Sequence, residues 1–172
     1  MPKGLKQTSS TLAIGFRADE AAANTFVQST SDLNLDPLNR EVFVVQAVNL
    51  DPFTPDSVAG TDTRVSCSLT TTSQTAVVDL SNANCLASAA NLIKAHAAAT
   101  DSGVAFHTGM FETPTADGLE YIGIIATNDF FVQCKGAGNL VAKAVTGKLY
   151  GYRATASADI FAALVQSEVL SA

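Results

Sequence analysis

The chain has 172 residues, the length of one domain able to bury a core without covalent staples. It is 47% hydrophobic and only 15% charged, against roughly 25% charged in an ordinary soluble domain, so much of its surface must be neutral Ser, Thr, Asn and Ala. Ten basic and sixteen acidic residues leave a net charge of −6, and the only basic clustering is Lys3 with Lys6, which argues against direct nucleic-acid binding.

Residues 1–10, MPKGLKQTSS, are polar and aperiodic and read as a flexible N-terminal arm; residues 11–172 read as a single domain. No apolar leader segment follows the arm and no apolar run approaches membrane-spanning length, so a protein folded in a cytoplasm is expected. A strand begins in TLAIGFRADE and a less regular one in NTFVQSTSDLNL. Asn34-Leu35-Asp36-Pro37 then returns as Asn49-Leu50-Asp51-Pro52. Between the copies, Val42, Val44 and Val48 fall on one face and Phe43, Val45 and Ala47 on the other, the pattern of a strand covered on both sides. Asp-Pro is turn chemistry, so each copy is expected to punctuate one end of that strand. With no third copy, a solenoid is not expected.

Residues 51–63 form a Pro-rich surface loop whose Asp51, Asp56 and Asp62 are weak calcium candidates; their spacing misses the EF-hand pattern. Val65, Cys67 and Leu69 alternate with Ser66, Ser68 and Thr70, a strand with one buried face and a Thr-rich end that reads as an exposed edge. From residue 81 to 99 the period changes. Leu86, Ala89, Ala90, Ile93 and Ala97 share a helical face, Ser81 is a candidate N-cap, and His96 near the C-terminus would favour the dipole. Residues 104–156 carry four apolar segments, one holding His107, read as an antiparallel meander, with Gly147 and Gly151 marking a bulge or a close backbone approach. Ser157 caps a short C-terminal amphipathic helix with Ile160, Phe161, Leu164 and Val165 on its apolar face.

No catalytic signature is present. There is no nucleophile elbow, no HExxH, and Gly136-Ala137-Gly138 lacks the rest of a nucleotide fingerprint and reads as a turn. Cys67, Cys85 and Cys134 have no CxxC pairing and read as buried free thiols. The expectation is therefore a protein that is not an enzyme and uses no cofactor. Tyr150, Tyr152 and Arg153, with Pro52, Phe53 and Pro55 of the loop, are the candidate subunit-interface residues, because Tyr and Arg anchor interfaces.

The fold expected is α+β and β-rich, with about seven or eight mainly antiparallel strands in a sheet or two-layer sandwich, one inserted helix and a C-terminal helix. It is compatible with a jelly roll or a compact tailed-phage capsid fold. The segments NLDPLNREVFVVQAVNLDP, LEYIGIIATNDFFVQ and GKLYGYRATASADIFAALVQSE resemble structural proteins encoded by environmental, mostly marine, viruses. That resemblance implies a self-assembling major capsid subunit, located in a virion assembled in the host cytoplasm, with copies of itself in a symmetric shell and other virion proteins as partners. The alternatives are a decoration or tail component of a virion, or a carbohydrate- or calcium-dependent binding module.

Overall fold

The computed structural model describes residues 3–95, 106–110 and 120–170. Its elements in chain order are β1 (Leu5–Gln7), β2 (Leu12–Asp19), β3 (Val27–Asp32), β4 (Glu41–Pro52), β5 (Thr63–Thr70), β6 (Cys85–Lys94), β7 (Phe106–Met110), β8 (Gly123–Ile125), β9 (Asp129–Ala137), β10 (Ala144–Ala156) and α1 (Ala158–Leu170). The strands form two five-stranded antiparallel sheets. In the first, β10 lies between β4 and an edge that β2 and β1 share end to end, and β8 closes the other side of β4. In the second the order is β3-β9-β5-β6-β7.

The pairings nest. β5 pairs with β6, β4 with β8, β3 with β9 and β2 with β10, each pair enclosing the one before it along the chain. Successive pairs fall in alternate sheets, and the β4–β10 and β5–β9 pairings join them. The inner faces meet in one core: Phe16, Phe43, Val45, Val48, Leu50, Ile125, Val145 and Leu149 from the first sheet, and Val65, Cys67, Leu69, Ala87, Ala89, Phe130, Val132 and Cys134 from the second. Phe16 and Phe130 meet edge to face across the layers, 5.8 Å between centroids.

A third layer covers part of the first sheet's outer face. Leu5, Val42, Val44, Tyr152, Ala154 and Ala156 point outward there and receive Ile160, Phe161, Leu164 and Val165 of α1. These are the residues expected on the helix's apolar face. Over Val42–Val45 β4 is thus covered on both sides, as its sequence indicates, while Asn49 and Asp51 further along are exposed. The carbonyl of Ser157 accepts the first helical bond from the Phe161 N–H, which makes Ser157 the N-cap position, and Asp159 lies in the first turn.

Six expectations are corrected. There are ten strands among the described residues, and not seven or eight. The inserted helix is absent over Cys85–Lys94, which is β6. Ala87, Ala89, Asn91 and Ile93 are buried there at a period of two; an Ala-rich run satisfies either period, and tertiary pairing on both edges of β6 overrides the helix propensity. Ser81 is no cap: its N–H and hydroxyl both bond the Asp79 carboxylate in a turn. The last four strands do not form a meander, because β7 and β9 belong to one sheet and β8 and β10 to the other. The Thr-rich end of β5 is no exposed edge; β5 is flanked by β9 and β6, and Thr70, Thr71 and Thr72 are buried. Leu5–Gln7, assigned to a flexible arm, pair with Ala154–Ala156 as β1. Residues 96–99 of the predicted helix, with His96, lie outside the described residues.

Of the two Asn-Leu-Asp-Pro copies, the first is a turn, where the Asp36 carboxylate accepts the N–H of Leu38 at 2.9 Å. The second is the end of β4 itself, with Asp51 opposite Thr146 and Pro52 opposite Val145. Gly147 and Gly151 hold β10 close to β4: a Cβ on either would press a β4 carbonyl, Asn49 or Val44, and a phenylalanine ring. The register slips between Tyr150 and Gly151, leaving Gln46 as the extra residue of a bulge in β4.

The last turn of α1 is tied to the sandwich by a buried carboxylate. Glu168 accepts the N–H of Ala126 at 3.0 Å and of Thr127 at 2.9 Å, where the chain turns from β8 to β9. Glu168→Ala strands two amide donors and is expected to cost about 1–3 kcal/mol. Urea unfolding should show the lower midpoint, and hydrogen exchange should speed at the Ala126 and Thr127 amides.

Candidate interaction surface

α1 covers only the half of the first sheet's outer face that carries β1. Beyond the bulge, the outward residues of β4 and β10 are Asn49, Asp51, Thr146, Lys148 and Tyr150, which line an open depression of about 310 Å³. Thr146 is opposite Asp51 and Lys148 opposite Asn49. Arg17 of β2 holds Asp19 and lies over the ring of the exposed Phe53, 5.5 Å from its centroid. The resulting surface is small, polar and weakly charged, with Tyr150 and Phe53 as its aromatic groups.

The loops at the adjoining end are held rigidly. Asp56 accepts N–H groups of Leu140 at 2.9 Å and Val141 at 3.2 Å and pairs with the Lys143 ammonium at 2.5 Å. Asn139 accepts the Asp56 N–H and donates to the Arg64 carbonyl, while Asn24 donates to its carbonyl. Buried Glu20 accepts the N–H of Gly136 at 2.7 Å and of Lys143 at 2.8 Å. Gly138 turns the chain with φ 72°. This polar bracket fixes the 138–143 loop while leaving Leu140 and Val141 projecting into solvent.

The candidate residues scatter. Phe53 and Tyr150 reach the open face. Pro52 and Pro55 are buried. Tyr152 is packed beneath α1, and burial raises its phenol above the ordinary range. Arg153 is spent within the chain, on the carbonyls of Leu33 at 2.8 Å and Asn34 at 3.0 Å and on Glu41 at 3.1 Å. The calcium candidates do not converge: Asp51 faces the open depression, Asp56 holds Lys143, and Asp62 accepts the Ala95 N–H. Among the described residues no group of three or more His, Cys, Asp or Glu side chains is arranged to hold a metal ion.

Cys67 and Cys134 are register partners on β5 and β9, free and buried in the core. Burial pushes both thiols up, Cys134 to about 12, and half-buried Cys85 to about 11. His107 lies in β7 opposite Ile93. What the sequence reading missed is the bracket of Glu20, Asn24, Asn139 and Lys143; no local spacing signals it, since its members are up to 123 residues apart.

No family model matches the chain, and no curated protein matches it.

The Asp56 carboxyl is held below its ordinary range chiefly by its hydrogen bond from Lys143. Its folded pKa is the lower one, so its contribution is fully present above the unfolded value of about 3.9 and is lost as pH falls through the folded value. Asp56→Asn is therefore expected to melt lower than the parent at neutral pH. That gap should shrink as the solution is acidified below about pH 4. Thermal melts of both proteins between neutral and acid pH check the trend.

Proposed function

We propose that the chain is a self-assembling structural subunit of a virion, most simply the major capsid protein, and that its sandwich is a single jelly roll. The observation that carries this reading is the nested pairing. Eight strands run inward as β2, β3, β4 and β5 and return as β6, β8, β9 and β10, each return strand pairing with its counterpart. This is the plan of a long antiparallel ribbon rolled into two sheets, the form used by viral capsid domains. β1 and β7 extend the two sheets, and α1 backs the first.

Surface character supports the same reading. A subunit surrounded by copies of itself does not depend on a heavily charged coat for solubility, and this chain is only 15% charged. The open half-face with Tyr150, Lys148 and Phe53, and the projecting Leu140–Val141 loop, supply surfaces for neighbours. A net charge of −6 fits a preformed shell or an outer layer better than a genome-condensing coat.

Electron microscopy and light scattering of the purified protein test this. Closed shells or tubes of uniform diameter are the expected result; a monodisperse monomer would overturn the lone-capsid reading and favour a decoration or tail component. The double variant Lys148→Glu, Tyr150→Ala is expected to abolish assembly with little change in melting temperature. Assembly that survives it would move the contact to another face.

A further inference from the structure

The outer face of the second sheet carries a second feature, away from the open half-face. Residues 71–84 drape over this face, and Ala76–Asp79 form one wall of a groove of about 370 Å³. Its floor is Arg64 and Ser66 of β5, Ser88 of β6 and Lys135–Ala137 of β9.

The polar groups beside the groove and within it are treated differently. Next to it, Ser68 donates to the Gln133 side-chain oxygen Oε1 at 2.8 Å, and the Gln133 amide donates to Thr70 at 2.8 Å and Gln28 at 3.0 Å. The same network holds the draped segment through Val78 N–H to Ser68 at 3.2 Å and Gln74 N–H to Gln28 at 2.7 Å. Inside the groove, the side chains of Arg64, Ser66, Ser88 and Lys135 have no hydrogen-bond or ion-pair partner among the described residues. Lys135 is directly opposite Ser66, and Arg64 is opposite Ala137, so the two cations are diagonal neighbours on adjacent strands. Two like charges so placed repel each other, and an anion between them relieves that repulsion. Asp79 closes the draped wall of the same groove, its carboxylate bonded to the N–H and hydroxyl of Ser81. Val77 and Val78 make the wall partly apolar.

We propose that this groove binds an acidic saccharide, with the sugar's carboxylate or sulfate held by Arg64 and Lys135. The guanidinium supplies the planar fork that matches such an oxyanion. Ser66 and Ser88 offer hydroxyl contacts to the ring, Asp79 accepts from a sugar hydroxyl, and Val77 and Val78 meet its apolar face. The volume falls within the range of small-molecule sites, and converging polar groups on an apolar wall are their usual chemistry.

The test is calorimetric titration of the full chain at low salt with N-acetylneuraminic acid, a sulfated disaccharide, a neutral methyl glucoside and sodium sulfate. The acidic sugars are expected to bind and the neutral one not to. Arg64→Ala with Lys135→Ala should weaken acidic-sugar binding about tenfold or more, since both charge-assisted contacts are lost. Both residues are exposed, so melting should be unchanged. Sulfate binding as tightly as the sugars would mean an adventitious ion only and overturn the proposal. So would acidic-sugar binding unaltered in the double variant, or no binding at all. Light scattering of the same samples reports assembly separately, so failure of the shell reading would leave this result standing.

Discussion

β4 and β10 run antiparallel over eleven paired positions, and every other layer is built on that pair. One side of it meets the second sheet, and half of the other side meets α1. Burial on both faces requires apolar residues at both parities, and Glu41–Pro52 supplies them over Val42–Val45. Close packing of the two strands has its own requirement, met by Gly147 and Gly151, where any side chain would press a β4 carbonyl and a ring. The bulge at Gln46 completes the arrangement. It allows Phe43, Val45, Val48 and Leu50 to share the inner core although their spacing breaks strict alternation. Strict alternation groups Val48 with Val42 and Val44, and the extra residue carries it across to the opposite face.

Much of the layer scheme is legible because burial leaves a periodic mark. The two-sided strand, the alternation of Val65, Cys67 and Leu69, the capped C-terminal helix and the paired glycines all follow from local pattern. Pairing order is a different kind of information. β2 and β10 lie at opposite ends of the chain and pair over eight positions, and nothing local encodes that. The Ala-rich 85–94 segment misleads for a related reason: alanine fits a helix face and a strand face alike, so the arbiter is which edge lies vacant beside it. Among the interface candidates, residue type indicated Tyr152 and Arg153, but parity along β10 decides exposure. Tyr150 and Tyr152 share a face, and only the second is under the helix.

Several buried and half-buried polar side chains hold segments that have no strand pairing of their own. Glu20, Asn139 and Asp56 collect amide donors from loops at one end of the sandwich. Glu168 does so for the β8–β9 connection, and Gln133 with Gln28 for the draped 71–84 segment. Such groups are costly when unpaired and specific when satisfied, so each fixes one loop geometry. A weakly charged chain gains loop order by this route without relying on surface ion pairs, which contribute little.

The bulge also sets what the outer face of the first sheet offers. On the helix side of it, the outward positions are Val42, Val44, Tyr152, Ala154 and Ala156, a strip that only an apolar partner satisfies, and α1 is that partner. On the far side they are Asn49, Asp51, Thr146 and Lys148, which water or a polar surface satisfies equally. The change falls within three residues of Gln46. One inserted residue thus separates the part of the sheet that the chain covers itself from the part it leaves open. Lengthening α1 would not close the open half, because nothing apolar awaits it there; a neighbour with complementary polar groups would.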